Sequence, residues 1–331
     1  MKKTKNSIKI FAVLIICFSF IITASAADSL VPLGNSVGIA ITSDGAMVTG
    51  LLEDMVQNPC KEAGIEPGDV IKSVDGKEVH TNVALKKAVE QSGGKPIKIE
   101  YLRDGKTYSV TVTPQKCDSG EYIIGVRIRD GIAGVGTMTY YDPKDGSFGA
   151  LGHGVSDSET NVLMPIEDGY LLHSSVASVK KGKVQNPGEL IGEYNTHESF
   201  ADIKTNTDCG IFGKIRKGEE PQNISGMPVA KKDEIKRGEA TILSNIEGTE
   251  VKEYAVEITS IYFDGEKTKN MMIRVTDPVL LEKTGGIVRG MSGSPIIQDG
   301  KIVGAITHVL VNNPTKGYAI FIENMLAEAA E

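Results

Sequence analysis

The chain has 331 residues, of which 40 % are hydrophobic and 24 % charged, a composition ordinary for folded globular domains and a length that suits two of them. Net charge is −7, and no basic stripe interleaved with aromatics occurs, so nothing electrostatic speaks for nucleic acid as a partner. Glycine is abundant (37) and aromatics are few (5 %), which favours short strands and many turns over a helical bundle.

Residues 1–27 carry the marks of a targeting segment. Lys2, Lys3, Lys5 and Lys9 form a basic start, and an apolar run follows from Ile10 to Ile22. Ala24-Ser25-Ala26 supplies the small-x-small pattern of a secretory cleavage site. The run is short of the ~20 residues a membrane span needs. Extended through Ala27 it reaches marginal length, so the two readings are a removed signal and a retained anchor in contact with the membrane. Both place the rest of the chain outside the cytoplasm. Cys17 lies inside this segment. Cys60, Cys117 and Cys209 remain, an odd number without C-x-x-C spacing, which argues against zinc and for free, mostly buried thiols. No metal or other cofactor is expected.

Residues 30–115 read as one small domain. Val37 to Ile41 is strand-like, and Ala63-Gly64-Ile65-Glu66-Pro67-Gly68-Asp69-Val70-Ile71 gives a turn and a short strand. Asp75-Gly76 is a two-residue hairpin signal. Val83 to Val89 has helical spacing and stops near Gly93-Gly94. Ile97 to Arg103 alternates as a half-buried strand, turns at Asp104-Gly105, and returns through Tyr108 to Val112. This order of elements resembles a PDZ domain. The resemblance implies peptide binding by strand addition, with Ser36, Val37, Gly38 and Ile39 as the peptide-binding loop. The loop departs from the usual Gly-Φ-Gly-Φ, so an internal segment, including one from this chain itself, is a candidate ligand beside a C-terminus.

Pro114 to Gly120 reads as a polar linker. Beyond it, residues 121–331 consist of short apolar runs separated by Gly, Asp, Asn and Pro, several with period-two alternation. Such spacing predicts a sandwich or barrel, and the length suits a pair of small barrels. Only the tail, Ile322 to Ala330, looks helical.

Three stretches carry chemistry. Gly290-Met291-Ser292-Gly293-Ser294-Pro295 brackets a serine with glycines, which let the backbone turn sharply and aim its N–H groups at a developing oxyanion. The bland alternative is a tight turn between strands. Gly152-His153-Gly154 sets a histidine on a tight loop, where it is either a base or a loop histidine satisfied by solvent. Thr276-Asp277-Pro278 ends a strand-like run, where the carboxylate either orients a histidine or forms an Asx turn. Together they give the order His153, Asp277, Ser292, that of chymotrypsin-type enzymes. The N–H groups of Gly290 and Ser292 would form the oxyanion hole. Ser294 is the rival nucleophile, and Asp157, Asp202 and Asp208 are rival carboxylates. Of the other histidines, His80 suits a surface turn, while His308 lies on a strand that either lines the cleft or simply packs; His173 and His197 gain no role from the sequence.

With these residues in view, Gly152-His153-Gly154-Val155, Thr276-Asp277-Pro278 and Gly290 to Pro295, with the following Thr307-His308-Val309, resemble the stage IV sporulation protein B peptidase family. The resemblance covers the N-terminal segment, the PDZ-like domain and the peptidase domain, in that order. It implies a mainly β chain: a PDZ-like domain followed by a chymotrypsin-like double β-barrel. It implies a serine endopeptidase, exported across the forespore membrane, with His153, Asp277 and Ser292 as its triad. It further implies self-cleavage and cleavage of a regulator of a membrane-embedded protease, which triggers sigma-factor processing during endospore formation. The alternatives are an HtrA-like quality-control protease, which usually places its PDZ domain last, and an inactive PDZ-based scaffold.

Overall fold

A computed structural model describes residues 29–55, 57–222 and 225–330. The expected targeting segment, residues 1–27, lies outside the described residues. The chain is mainly β, with 53 % strand and 11 % helix. It opens with β1 (Ser29–Pro32), β2 (Ser36–Leu51), a one-turn helix α1 (Pro59–Glu62), β3 (Val70–Val74) and β4 (Lys77–Glu78). Helix α2 (Asn82–Gln91) and the hairpin of β5 (Ile97–Arg103) and β6 (Lys106–Val112) follow. Next come β7 (Gln115–Lys116), β8 (Tyr122–Ile123), β9 (Val126–Tyr141), β10 (Ser147–Ala150), β11 (Ile166–Lys180), β12 (Glu189–Thr207), β13 (Gly210–Ile215) and β14 (Met227–Pro228). The last part holds β15 (Gly238–Ser244), β16 (Lys252–Ile261), β17 (Met271–Val275), helix α3 (Pro278–Thr284), β18 (Pro295–Gln298), β19 (Lys301–Leu310), β20 (Asn313–Phe321) and helix α4 (Ile322–Ala329).

Two closed circuits of six strands result. In the first, β9, β10, β13, β12, β11 and β2 are neighbours in that order, and β2 pairs back onto β9. In the second, β15, β16, β17, β20, β19 and β18 form a closed barrel. Each circuit is filled by the inward side of alternating strands. In β16, Tyr254, Val256 and Ile258 are buried while Glu253 and Ala255 are exposed. Val37, Ile39, Ile41, Phe148, Leu171 and Ile211 fill the first barrel. The double-barrel expectation thus holds. The tail is helical as expected, but not alone: α3 starts where Asp277 caps and Pro278 opens a helix that the sequence reading did not expect.

The small N-terminal unit has its own core of Val48, Ile71, Leu85, Val89 and Ile99. Thr81 caps α2 by accepting from Ala84 N, and Leu85 and Val89, one turn apart, face that core. The expected hairpin turns form with both residues at positive φ, Asp75 at 49° and Gly76 at 76°, Asp104 at 49° and Gly105 at 72°.

The structure corrects two expectations about this unit. Ser36, Val37, Gly38 and Ile39 are not a free peptide-binding loop. They begin β2 inside the first barrel, paired with Thr137, Gly136, Val135 and Gly134 of β9 on one side. On the other side Val37, Gly38 and Ile39 pair with His173, Leu172 and Leu171 of β11. A strand bonded along both edges has none left for an added peptide. The stretch around Pro114 to Gly120 is not a free linker either. β7 and β8 pair with each other and dock on α2, where Tyr122 N donates to Glu90 Oε1 (2.8 Å) and Lys86 meets Glu121 (2.9 Å). The chain then runs on as the start of β9, pairing Val126 to Arg129 with Leu51 to Met47. Val126 and Ile128 pack into the same core as α2, and Asp130 accepts from Asn82 N at its first turn (2.8 Å). The strand edge beside α2 is filled by the protein itself.

Candidate active site

The nucleophile loop lies between α3 and β18. Gly290 (φ 95°) and Gly293 (φ 99°) take backbone conformations that side chains resist. At Gly293 a Cβ would also collide with the Thr137 carbonyl oxygen. Loop bonds fix the turn: Met291 N donates to Val288 O (3.2 Å), Ser294 N to Met291 O (3.0 Å) and Gly293 N to Ile306 O (2.8 Å). From the other barrel, Thr137 Oγ1 donates to Gly290 O (2.7 Å), Thr137 N to Ser292 O (3.0 Å) and Thr139 Oγ1 to Gly293 O (2.8 Å). With the carbonyls held this way, the Gly290 and Ser292 N–H groups have no partner among the described residues. They are the pair an oxyanion hole needs.

The histidine loop follows β10. Leu151 (φ 71°) and Gly152 (φ 69°) turn the chain, and Leu151 N donates to Thr137 O (3.1 Å). Thr137 therefore ties both loops to one point of β9. Gly154 N donates to the backbone carbonyl of Asp208 (3.2 Å), in the turn between β12 and β13. His153 Nδ1 lies 2.9 Å from Gly154 O. A carbonyl can only accept, so Nδ1 carries the hydrogen and Nε2 keeps the lone pair of the neutral ring. Burial holds the His153 pKa below its ordinary 6.5, an effect the Gly154 carbonyl partly offsets.

Both loops open onto one cleft of about 790 Å³. His153, Ser292, Gly290 and His308 line it, with an apolar wall of Ile39, Ile132, Val135, Leu151, Val155 and Leu163 and a charged rim of Asp208, Glu266, Lys267 and Arg289. The His308 ring stands 4.9 Å from the His153 ring, centroid to centroid, tilted by 35°. The His308 pKa is pushed down to about 4, by burial first, then by His153 and Lys269, against Glu266. The Ser292 hydroxyl donates to Thr307 O (2.7 Å). The serine is thus in a resting rotamer, turned to the strand that carries His308.

The rival residues separate on geometry, except Asp208, which lines the same cleft. Ser294 is wholly buried and does not line the cleft, which leaves the half-buried Ser292 as the serine of this loop that lines the cleft. Asp157 is buried against Arg129 (2.6 Å) and accepts from Glu159 N and Thr160 N. Asp202 is held by Arg216 (2.7 Å). His80 pairs with Glu167 (3.2 Å), and His173 stacks on Phe200 (4.4 Å). The His197 side chain lies outside the described residues.

Asp277 is the expectation the structure does not bring to the cleft. Its Oδ1 accepts from Val279 N and Leu280 N (both 2.9 Å), and its Oδ2 from Ala255 N (3.4 Å). It is the N-cap of α3, with Pro278 at the first helical position. The register shows the separation. His308 pairs with Tyr318, and Tyr318 with Met272 at the start of β17. Asp277 lies beyond the other end of that strand, about 10 Å further along even before the turn. The Asp-Pro pair that resembles a triad residue is explained here by capping. Thr137 and Thr139 went unnoticed in the sequence because a threonine inside a strand run carries no local signal.

Two β-barrels, one giving a histidine loop and the other a serine loop to a shared cleft, define the class of double-barrel serine peptidases. The family model described as SpoIVB peptidase S55 matches residues 120–326, and a PDZ domain model matches residues 39–113. The chain belongs to the SpoIVB peptidase S55 family. HhoA of Synechocystis is similar, 38 % identical over 79 residues that cover 24 % of this chain and 19 % of that one. The chain spans about a quarter of the length of the curated relatives it matches. Among solved structures, the active form of the Rv3671c protease of M. tuberculosis is 16 % identical with a TM-score of 0.36, covering 60 % of this chain and 74 % of that one. The PDZ domain of an SdrC-like protein of Listeria monocytogenes is 21 % identical with a TM-score of 0.24, covering 27 % and 90 %.

Proposed function

We propose that this protein is an extracytoplasmic serine endopeptidase. It cleaves itself and a regulator of a membrane-embedded protease, and so triggers sigma-factor processing during endospore formation. The observation that carries the peptidase reading is the shared cleft: Ser292, His153 and Gly290 line one space, and the N–H groups of Gly290 and Ser292 have no partner among the described residues. In the reaction the Ser292 hydroxyl turns from Thr307 O toward His153. His153 Nε2 takes its proton as Oγ attacks the scissile carbonyl. The N–H groups of Gly290 and Ser292 receive the oxyanion, and the imidazolium returns the proton to the leaving amine. The apolar wall suits an extended peptide with hydrophobic side chains. The sporulation role, the export and the regulator substrate rest on family membership and on the basic, apolar N-terminal sequence.

Incubation of the full chain followed by mass spectrometry tests the reading. Trimming near the N-terminus in the wild type, absent from Ser292→Ala, is the expected result. Equal trimming in both would remove Ser292 from the role. Self-processing by the wild type in isolation, with the sporulation regulator supplied and left intact, would keep the peptidase and reject that substrate.

A further inference from the structure

The apolar wall of the cleft accounts for apolar side chains of a bound peptide and leaves the charged rim without a task. We propose that Arg289 is a specificity-determining residue, reading an acidic side chain of the substrate beside the scissile bond. The inference deepens the peptidase reading above and rests on it.

Four observations carry it. The first is place. Arg289 lines the cleft and directly precedes Gly290, whose N–H is one of the two free donors. A side chain rooted there reaches the substrate residues that flank the carbonyl in the oxyanion hole. The second is a fixed root. Arg289 N donates to Gly188 O (2.9 Å), and Arg289 O accepts from Leu190 N (2.8 Å). Gly188 sits where a Cβ would collide with Lys180 O. The backbone before the serine is thus stitched to the start of β12, and only the arginine's own rotamers remain to be ordered on binding. The third is a free charge. At the same rim Lys267 pairs with Glu328 (2.6 Å) and Glu266 with Lys269 (2.7 Å). Arg289 is exposed and forms no ion pair among the described residues. Neither Asp208, across the cleft beside the histidine loop, nor Glu189, its bridge neighbour on β12, takes its charge. A guanidinium left unpaired beside an apolar wall offers a planar fork of donors that fits a carboxylate with two parallel bonds. The fourth is the chain's own sequence. Near the N-terminus, where trimming is expected, Asp28 is the single charged residue between Lys9 and Asp44. Its neighbours from Ala24 to Leu33 are small or apolar. One acid in an apolar stretch is the substrate that this wall and this arginine fit together.

The experiment gives the full chain a mixture of short apolar peptides that differ only at one central residue, Glu, Gln or Lys. Mass spectrometry reads the bond cut and the ratio of kcat/KM between peptides. The ratio is taken within each enzyme, so a general loss of activity or folding in a variant cancels. The wild type should cut beside the Glu and prefer that peptide over the Gln peptide by about tenfold, the worth of a charge-assisted hydrogen bond. Added salt should shrink that preference. Arg289→Gln should bring the ratio to within about twofold of one, and Arg289→Glu should turn it round in favour of the Lys peptide. Labelling of Ser292 by a fluorophosphonate in the wild type reports the peptidase itself. If the wild type is labelled but cuts none of the peptides, or cuts the Glu and Gln peptides alike, Arg289 is not a reader of acid and the peptidase reading stands. If Arg289→Gln keeps the wild-type preference, another group reads the acid and the proposal fails in the same way. A wild type that is neither labelled nor active on any peptide overturns both.

Discussion

The Ser292 loop and the Asp277 turn belong to the same barrel and lie fifteen residues apart in sequence, yet they face different surroundings. The serine loop sends three of its carbonyls outward, to Thr137 and Thr139 of the other barrel, and the N–H groups of Gly290 and Ser292, residues that line the cleft, have no partner among the described residues. The Asp277 turn is bonded inward, to the first turn of its own helix and to β16. A polar side chain whose oxygens are satisfied by local N–H groups has little left to offer a distant imidazole. The comparison teaches that a residue's hydrogen-bond partners, more than its place in a motif, decide which site it serves.

The largest expected effect comes from the serine side. Ser292→Ala should lower peptidase turnover by on the order of 10⁴-fold or more, with the trimming seen by mass spectrometry abolished and the melting temperature kept. Gly293→Ala should come next. A side chain there meets both a left-handed backbone and the Thr137 carbonyl, so the loop must shift, and labelling of Ser292 should fall at least tenfold. The effect of pH follows from His153. Its neutral form is the base, so labelling should decline as pH falls through a pKa below 6.5 and stay flat above it. The unfolded chain binds that proton at higher pH than the folded one, so stability should also decline as pH drops below 6.5. A labelling limb above 6.5 would contradict the buried, neutral base. The smallest effect belongs to Asp277→Ala, which should cost about 1 kcal/mol as a lost helix cap in a denaturant titration, while Asp277→Asn, itself a good cap, should cost almost nothing.

Much of this was legible in the sequence. Gly290 to Pro295 read either as a nucleophile turn or as a tight turn between strands, and the histidine far upstream favoured the first. Asp75-Gly76, Asp104-Gly105 and the alternation of Ile97 to Arg103 and of Lys252 to Ile258 gave hairpins and strands through purely local chemistry. What stayed hidden depends on pairing at long range. Nothing local in Ser36 to Ile39 says that both edges of the strand will be taken, by β9 and by β11. The same holds for Thr137, more than 150 residues before the loop it pins. His308 was visible as a strand histidine near the cleft, but its contact with His153 needs both barrels. Asp277 was open to two readings for a physical reason: an N-cap before Pro and a triad carboxylate look alike over three residues.

The most direct test is a side-by-side measurement of fluorophosphonate labelling of Ser292 at pH 7.5 in the wild type, His153→Ala and Asp277→Asn. The geometry predicts that His153→Ala loses labelling and that Asp277→Asn stays within about twofold of the wild type, since the cap survives and the cleft is untouched. A triad aspartate changed to asparagine loses about 10⁴-fold, roughly 5.5 kcal/mol of transition-state stabilisation. A fall of that size in Asp277→Asn, matching His153→Ala, would contradict the placement of Asp277 as a helix cap and return it to the active site.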